Sequence, residues 1–260
     1  MAIWALVTGA SEGLGREFAI LAARSGFDVI LTARQEDKLR TLAHELERAY
    51  HIAVVVLPAN LAEPEEVEQL WLDAAKDRQI GILVNNAGLG RNGPFADETN
   101  WPREAASLSV NIVAATILMK RAVAHMVAQG SGRVLNVAST SAFMPGPQMA
   151  VYHATKAYLL SLSEAVATEL RGTGVTVTAL CPGPTDTEFF AADDATKATL
   201  ITKMGMAPAQ AVAQAGWTAM EAGKRVKVTG VQNVIFANLP RVAPRALTAW
   251  VTQIFLKRRG

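Results

Sequence analysis

The chain has 260 residues, half of them hydrophobic, with 25 Lys/Arg against 23 Asp/Glu and a formal net charge of +2. That composition is globular and excludes a disordered chain, and so small a net charge suggests no nucleic-acid footprint, which would need a concentrated basic face. One cysteine, Cys181, excludes an internal disulfide framework and a cysteine-rich metal site, and reads as a small buried residue.

The predicted elements alternate from the start. Ile3–Thr8 is a short apolar strand, and Leu14–Ser25 has helical spacing and stops at Gly26. Phe27–Ala33 is a second strand and Asp37–Tyr50 a charged amphipathic helix. Ile52–Leu57 is a β-branched third strand, after which Pro64 opens a helix. Ile80–Val84 is a fourth strand, followed by one long helix over Pro102–Gln129. A strand over Arg133–Ala138, a helix over Val151–Arg171 and a strand over Val175–Leu180 come next. Ala207–Ala222 reads as a helix and Arg225–Thr229 as a short last strand. Apolar strands separated by helices predict a parallel sheet covered on both faces. Right-handed crossovers make it a doubly wound, three-layer α/β/α sheet of Rossmann type.

A single domain divides most simply into a Rossmann-like body over residues 1–230 and a helical extension of it over 231–260. In the extension Leu247, Trp250, Val251 and Ile254 share one helical face before the basic Lys257-Arg258-Arg259. Packing on the body is the favoured reading of that helix; a dimer contact and a helix resting on a membrane surface are the alternatives. No apolar run approaches the roughly 18–20 uninterrupted residues of a spanning helix. No charged n-region or cleavage site precedes Ile3, so a cytoplasmic location is expected. The four histidines, His44, His51, His125 and His153, have no ligand spacing, so no metal is expected.

The first strand runs into Thr8-Gly9-Ala10-Ser11-Glu12-Gly13-Leu14-Gly15. Glycines let a backbone turn sharply and approach a pyrophosphate, and the next helix offers free N–H groups and a positive dipole end. The spacing G-x-x-x-G-x-G is not G-x-G-x-x-G, and alone it also fits a structural turn. The second strand ends Thr32-Ala33-Arg34, without a terminal carboxylate to accept from a ribose 2′-hydroxyl and repel a 2′-phosphate. Arg34 can pair bidentately with a phosphate, and Ser11 can add a hydroxyl. NADP is therefore favoured over NAD; otherwise Arg34 is a solvated charge beside Glu36 and Asp37. Further along, Tyr152-His153-Ala154-Thr155-Lys156 puts a phenol and an ammonium on one helix face. A nearby cation lowers a tyrosine pKa toward working pH, which suits an acid/base for carbonyl–alcohol interconversion.

These segments together resemble the short-chain dehydrogenase/reductase family over most of the chain. The glycine loop is similar to that family's, as are Asn85-Asn86-Ala87-Gly88 after the fourth strand, Asn111, Ser139, Tyr152 with Lys156, and Pro182-Gly183-Pro184-Thr185-Asp186-Thr187 after the sixth strand. The resemblance implies an NADP(H)-dependent oxidoreductase acting on CH–OH/C=O. In it Tyr152 gives a proton to a substrate carbonyl oxygen, and Ser139 hydrogen-bonds that oxygen. Lys156 holds the nicotinamide ribose, and Asn111 supports a water-linked proton path. It implies cofactor contacts from Gly9, Ser11, Glu12, Gly13, Leu14 and Gly15. Further contacts come from Arg34, Asn60, Leu61, Asn86, Ala87, Gly88, Tyr152, Lys156, Pro182, Gly183, Thr185 and Thr187. Asn60 stands where many members have aspartate. Thr140 and Ser141 offer hydroxyls beside Ser139. The usual tetramer is in doubt, while a homodimer or higher homo-oligomer through the helices of Asn111 and Tyr152 is expected.

Phe143, Met144, Phe189, Phe190, Met204, Met206, Trp217 and Met220 suggest a hydrophobic small-molecule substrate: a ketone, a 3-oxoacyl chain or a steroid-like ring. Two rival readings stay open, an NAD-dependent alcohol or hydroxysteroid dehydrogenase and a non-catalytic nicotinamide-binding regulator.

Overall fold

The computed structural model describes residues 2–187, 205–241 and 243–256. The first half comprises β1 Ile3–Thr8, α1 Gly13–Arg24, β2 Asp28–Thr32, α2 Glu36–Tyr50, β3 Val54–Val56, α3 Pro64–Ala75, β4 Gln79–Asn85, α4 Trp101–Leu108 and α5 Ala115–Gln129. The second comprises β5 Gly132–Val137, α6 Ala150–Glu169, β6 Val175–Cys181, β7 Thr185–Asp186, β8 Ala207–Pro208, α7 Ala209–Glu221, β9 Val226–Val228, α8 Val231–Asn238 and α9 Arg245–Leu256. A seven-stranded sheet runs β3-β2-β1-β4-β5-β6-β9, and all of its pairs are parallel. The chain steps outward from β1 to β3 and then returns to β4 on the other side of β1. Strand order reverses there, so a crevice opens beyond the carboxyl ends of β1 and β4, where doubly wound sheets bind ligands.

Sequence periodicity explains the layers. In α2, Leu39, Leu42, Ala43 and Leu46 recur at helical spacing and are buried, while its other face carries charge. Pro64 occupies the first turn of α3, where its missing N–H costs nothing, and Val67, Leu70, Trp71 and Ala74 follow as the inward stripe. One core lies between the sheet and α1, α2 and α7; a second lies between the sheet and α3 and α5. Each fully buried Leu, Ile or Val of β1, β2 and β4 contributes about 1.5–3 kcal/mol.

Two expectations need correction. The long helix over Pro102–Gln129 is not continuous, because between α4 and α5 it widens into a π-turn over Ser109–Ala114. By length and composition the stretch Glu98–Gln129, which holds an 18-residue window of mean hydropathy 1.4, suffices to cross a membrane. Here Leu118, Met119, Ala122 and Met126 are buried, in the second core. Trp217 and Met220 do not face a ligand. Both are buried in the first core, where Trp217 meets Phe27 edge to face at 6.3 Å. The short β7–β8 pair had no counterpart in the sequence reading, and the helical extension over 231–260 divides into α8 and α9.

Trp217→Ala is expected to destabilise the fold by about 3–5 kcal/mol, as removal of a fully buried aromatic does. Urea unfolding measures this. Substrate preference should stay unchanged, and a shifted preference would return Trp217 to the ligand wall.

Candidate active site

Thr8 joins the ends of the two strands that flank the crevice. Its hydroxyl donates to Val84 O at 3.2 Å and accepts from the N–H groups of Asn86 and Ala87, each at 3.0 Å. The Asn86 amide returns bonds to Thr8 O (2.9 Å) and Gly9 O (3.3 Å). Gly9 then turns with φ +64°, and α1 begins against it so closely that a Cβ on Gly15 would lie 2.0 Å from Gly9 O. No side chain of the preceding residue, Glu12, caps α1, so its first-turn N–H groups remain open to an anion. A backbone cradle at a helix N-terminus fits a pyrophosphate.

The crevice is a cleft of about 930 Å³, large for one drug-sized ligand. It runs from Arg34 and Asn60 at one end, past Asn86, Ala87 and Gly88, to Ser139, Tyr152 and Lys156, and then to Pro182, Gly183, Thr185 and Thr187. Ser11, Glu12, Gly13, Leu14 and Leu61 also line it. Glu12 pairs with Lys38 at 2.8 Å, and Glu36 pairs with Arg40. Glu36, the carboxylate nearest Arg34 in sequence, thus has another cation, as does Glu12 of the glycine loop. Asn60 holds its own turn by accepting from Ala62 N at 3.2 Å.

Tyr152 and Lys156 are one turn apart on α6. The Lys156 ammonium lies 5.8 Å from the centre of the Tyr152 ring and donates to Val137 O at 2.7 Å. Burial pushes Lys156 down to about 8. Burial likewise pushes Tyr152 up to about 12, against a weaker opposing pull from its hydrogen bond with Ser139. This corrects the expectation of a depressed tyrosine pKa: withdrawing the phenol from water dominates, and the opposing pull comes from Ser139. Ser139 is buried, and its hydroxyl accepts from Ser141 N at 3.1 Å. Thr140 and Ser141 line the same cleft.

Two predicted residues stand behind the cleft rather than on it. Gly15 packs against Gly9. Asn111 sits in the π-turn, where its amide accepts from Leu89 N (2.9 Å) and donates to Leu89 O (2.8 Å) and Thr155 Oγ1 (3.0 Å). Its side chain is committed to the backbone beside Gly88. A second buried group, Asn136, accepts from Asn85 at 3.0 Å and donates to Ser163 at 2.8 Å beneath α6. Nothing in the sequence reading singled out Thr8, Asn136 or Thr155 for such work; a polar residue inside an apolar strand or helix was the available signal.

On the substrate side Met144 lines the cleft, whereas Phe143 packs on a small core with Cys181. Met206 is exposed. Phe189, Phe190 and Met204 lie outside the described residues. Val110, Met149 and Phe236, not named in advance, supply apolar wall. His153 is buried beside Tyr152, and its Nδ1 must carry the proton because Met144 O, 2.8 Å away, can only accept. His44 is exposed. Among the described residues no cluster of His, Cys, Asp or Glu could hold a metal.

Gly15→Ala is expected to weaken dinucleotide binding at least about tenfold, because the new methyl must displace Gly9 or the Asn86 amide from the cradle. Calorimetric titration measures this, with circular dichroism to confirm the fold.

A profile of the family described as short chain dehydrogenase matches residues 3–198. The 7beta-hydroxysteroid dehydrogenase of Collinsella aerofaciens is 33% identical over 182 residues, which are 70% of this chain and 68% of that protein. The mouse (Mus musculus) protein named inactive hydroxysteroid dehydrogenase-like protein 1 is 31% identical over 221 residues, 83% of this chain and 61% of that protein. The chain spans about half the length of the chicken (Gallus gallus) relative, 54% of it. Among solved structures, a short-chain dehydrogenase from Sphingobium yanoikuyae in complex with NADPH superposes with a TM-score of 0.81 at 28% identity, covering 95% of this chain and 98% of that one. Profile, relatives and structure converge with the geometry of the cleft: the chain belongs to the short-chain dehydrogenase/reductase family.

Proposed function

We propose that the chain is an NADPH-dependent reductase that converts a hydrophobic ketone to its alcohol, with Tyr152 as the acid. The observation that carries this reading is the shared cleft: a buried phenol in hydrogen bond with Ser139 and beside an ammonium, with Arg34 at the far end. The 2′-phosphate form is supported by Arg34, because Glu36 and Glu12 are engaged elsewhere. The NADPH in the Sphingobium structure supports it too. Met144, Met149, Val110 and Phe236 favour an apolar substrate, as does the hydroxysteroid named for the Collinsella relative.

When bound, the cofactor would supply hydride from its reduced nicotinamide, held by Tyr152, Lys156 and the Pro182–Thr187 segment. Tyr152, with a pKa of about 12, is a neutral phenol at pH 7 and can only give its proton. It donates that proton to the carbonyl oxygen as negative charge develops there. Ser139 hydrogen-bonds the same oxygen and fixes its position. The phenolate left behind faces the Lys156 ammonium, and that charge lowers the cost of the transfer. Asn111 is a positioning residue: it holds the Leu89 backbone and Thr155, and so the spacing of α6 from Gly88.

Tyr152→Phe is expected to lower kcat by about 10²–10⁴ while leaving NADPH affinity nearly intact, in stopped-flow NADPH oxidation with ketones graded by chain length and ring size. Wild-type inertness across that screen with tight NADPH binding would favour a non-catalytic role, as the name of the mouse relative suggests. Arg34→Ala should weaken NADPH at least about tenfold and leave NADH unchanged. Equal wild-type affinities for the two would remove the NADP assignment. The pH dependence has a definite sign. Lys156 loses its proton as pH rises through about 8, so reductive kcat/KM should fall above that pH. The rate profile of Lys156→Met should lack that step.

A further inference from the structure

The charge of this chain is segregated. From residue 222 to residue 260 there are eight Lys/Arg and no Asp/Glu; with a total of +2, residues 1–221 therefore carry −6. Among the described residues the same region holds an exposed apolar surface. On α8, Val231, Val234 and Ile235 are exposed at the i, i+3, i+4 spacing of one helix face. On α9, Leu247, Trp250 and Ile254 are exposed at i, i+3, i+7, with Trp250 59% accessible. Among the described side chains of α9, the buried stripe is Thr248 and Thr252, with Thr252 Oγ1 donating to Thr248 O. Leu247, Trp250 and Ile254 thus point outward while Thr248 and Thr252 point inward, the reverse of a helix made only to pack on its own body.

We infer that the outer face of α8 and α9 docks on an anionic lipid surface. Charge complementarity selects this occupant. Arg241 and Arg245 precede the Leu247–Ile254 face in sequence and Lys257-Arg258-Arg259 follow it, so cations bracket an apolar stripe that contains a tryptophan. A two-fold contact between copies sets a patch against itself and would bring these cations together with no carboxylate of the region to answer them. The inner sides of the same helices supply Gln232, Asn233, Phe236 and Thr252 to the cleft, so docking would set the cleft rim beside the lipid. The inference does not depend on the reaction, and its test needs no turnover.

The test is sedimentation of the full chain with sucrose-loaded vesicles at about 0.1 M salt. One set is phosphatidylcholine alone; the other adds roughly a third phosphatidylglycerol. At least about tenfold stronger partition onto the anionic vesicles is expected, lost progressively with added salt. W250E/I254E and R241E/R245E should each lower that partition about tenfold or more, with unchanged thermal unfolding by circular dichroism. A W250A variant, should the glutamates impair folding, is expected to show a smaller loss in the same direction. Equal partition on both vesicle types would overturn the inference, as would variants that bind like wild type. So would a doubled solution mass that W250E/I254E halves, which assigns the face to a second copy. Heparin binding with no vesicle binding would assign the charge to a soluble polyanion and overturn it as well.

Discussion

The carboxyl ends of β1 and β4 are tied by one hydroxyl. Thr8 reaches across the strand boundary to Val84 O and takes the N–H groups of Asn86 and Ala87, while Asn86 closes the loop back onto Thr8 and Gly9. These groups are buried or half-buried, where an unpaired donor costs about 1–3 kcal/mol, so each bond is enforced by the lack of an alternative. Their geometry holds the glycine turn open at the place where strand order reverses. Because α1 starts against Gly9 with no room for a methyl on Gly15, its N–H groups come as near the cleft as a backbone can. The phosphate end of the site is thus a consequence of how two strands finish, not an addition to the fold.

At the other end the controlling quantity is desolvation. Tyr152 and Lys156 are driven in opposite directions by the same burial, the phenol up to about 12 and the amine down to about 8. For the isolated phenol and ammonium the two values nearly coincide; burial separates them to about 12 and about 8, which keeps the proton on the tyrosine. In the proposed reaction, creating charge on the tyrosine becomes feasible only when the carbonyl oxygen, gaining negative charge as its carbon takes the hydride, demands the proton. Buried hydrogen bonds hold this arrangement in place: Lys156 to Val137 O, Asn111 to Leu89 and Thr155, Asn136 between Asn85 and Ser163. Each removes a polar group from competition for the substrate oxygen.

The sheet was legible because β1, β2, β4, β5 and β6 are apolar on both faces, and only a covered parallel sheet accepts that. Helix bounds fell within a few residues where Pro64 or Gly26 marked them. The candidate site was legible as motif residues at strand ends, and most of them line one cleft. What stayed hidden depends on tertiary distance. The π-turn at Ser109–Ala114 leaves no periodicity signature over six residues. Trp217 and Phe236 look alike as aromatics on apolar helices, yet one fills the core against Phe27 and the other faces the cleft. The tyrosine pKa was misjudged because burial, which sequence does not give, raises it, while the cation four residues along does not bring it down.

The two ends of the cleft rest on different mechanical footings. The phosphate end is held by β1, β4 and α1, whose inward residues are almost completely buried. The far wall comes from α8 and α9, and only Ala237 of α8 is a buried hydrophobic residue. Yet that wall is coupled to the body: Asn233 donates to Thr229 O at 2.7 Å, and a Cβ on Gly183 would overlap its amide. Helix α8 and the Pro182–Thr187 segment therefore shift together or not at all. Stability is drawn from the sheet and its two cores, so substitutions in α8 change the shape of the cleft at small cost to folding. The proposed acid and phosphate cradle therefore rest on the firmly packed part of the scaffold, while the wall that α8 and α9 supply lies in the region that carries the excess positive charge.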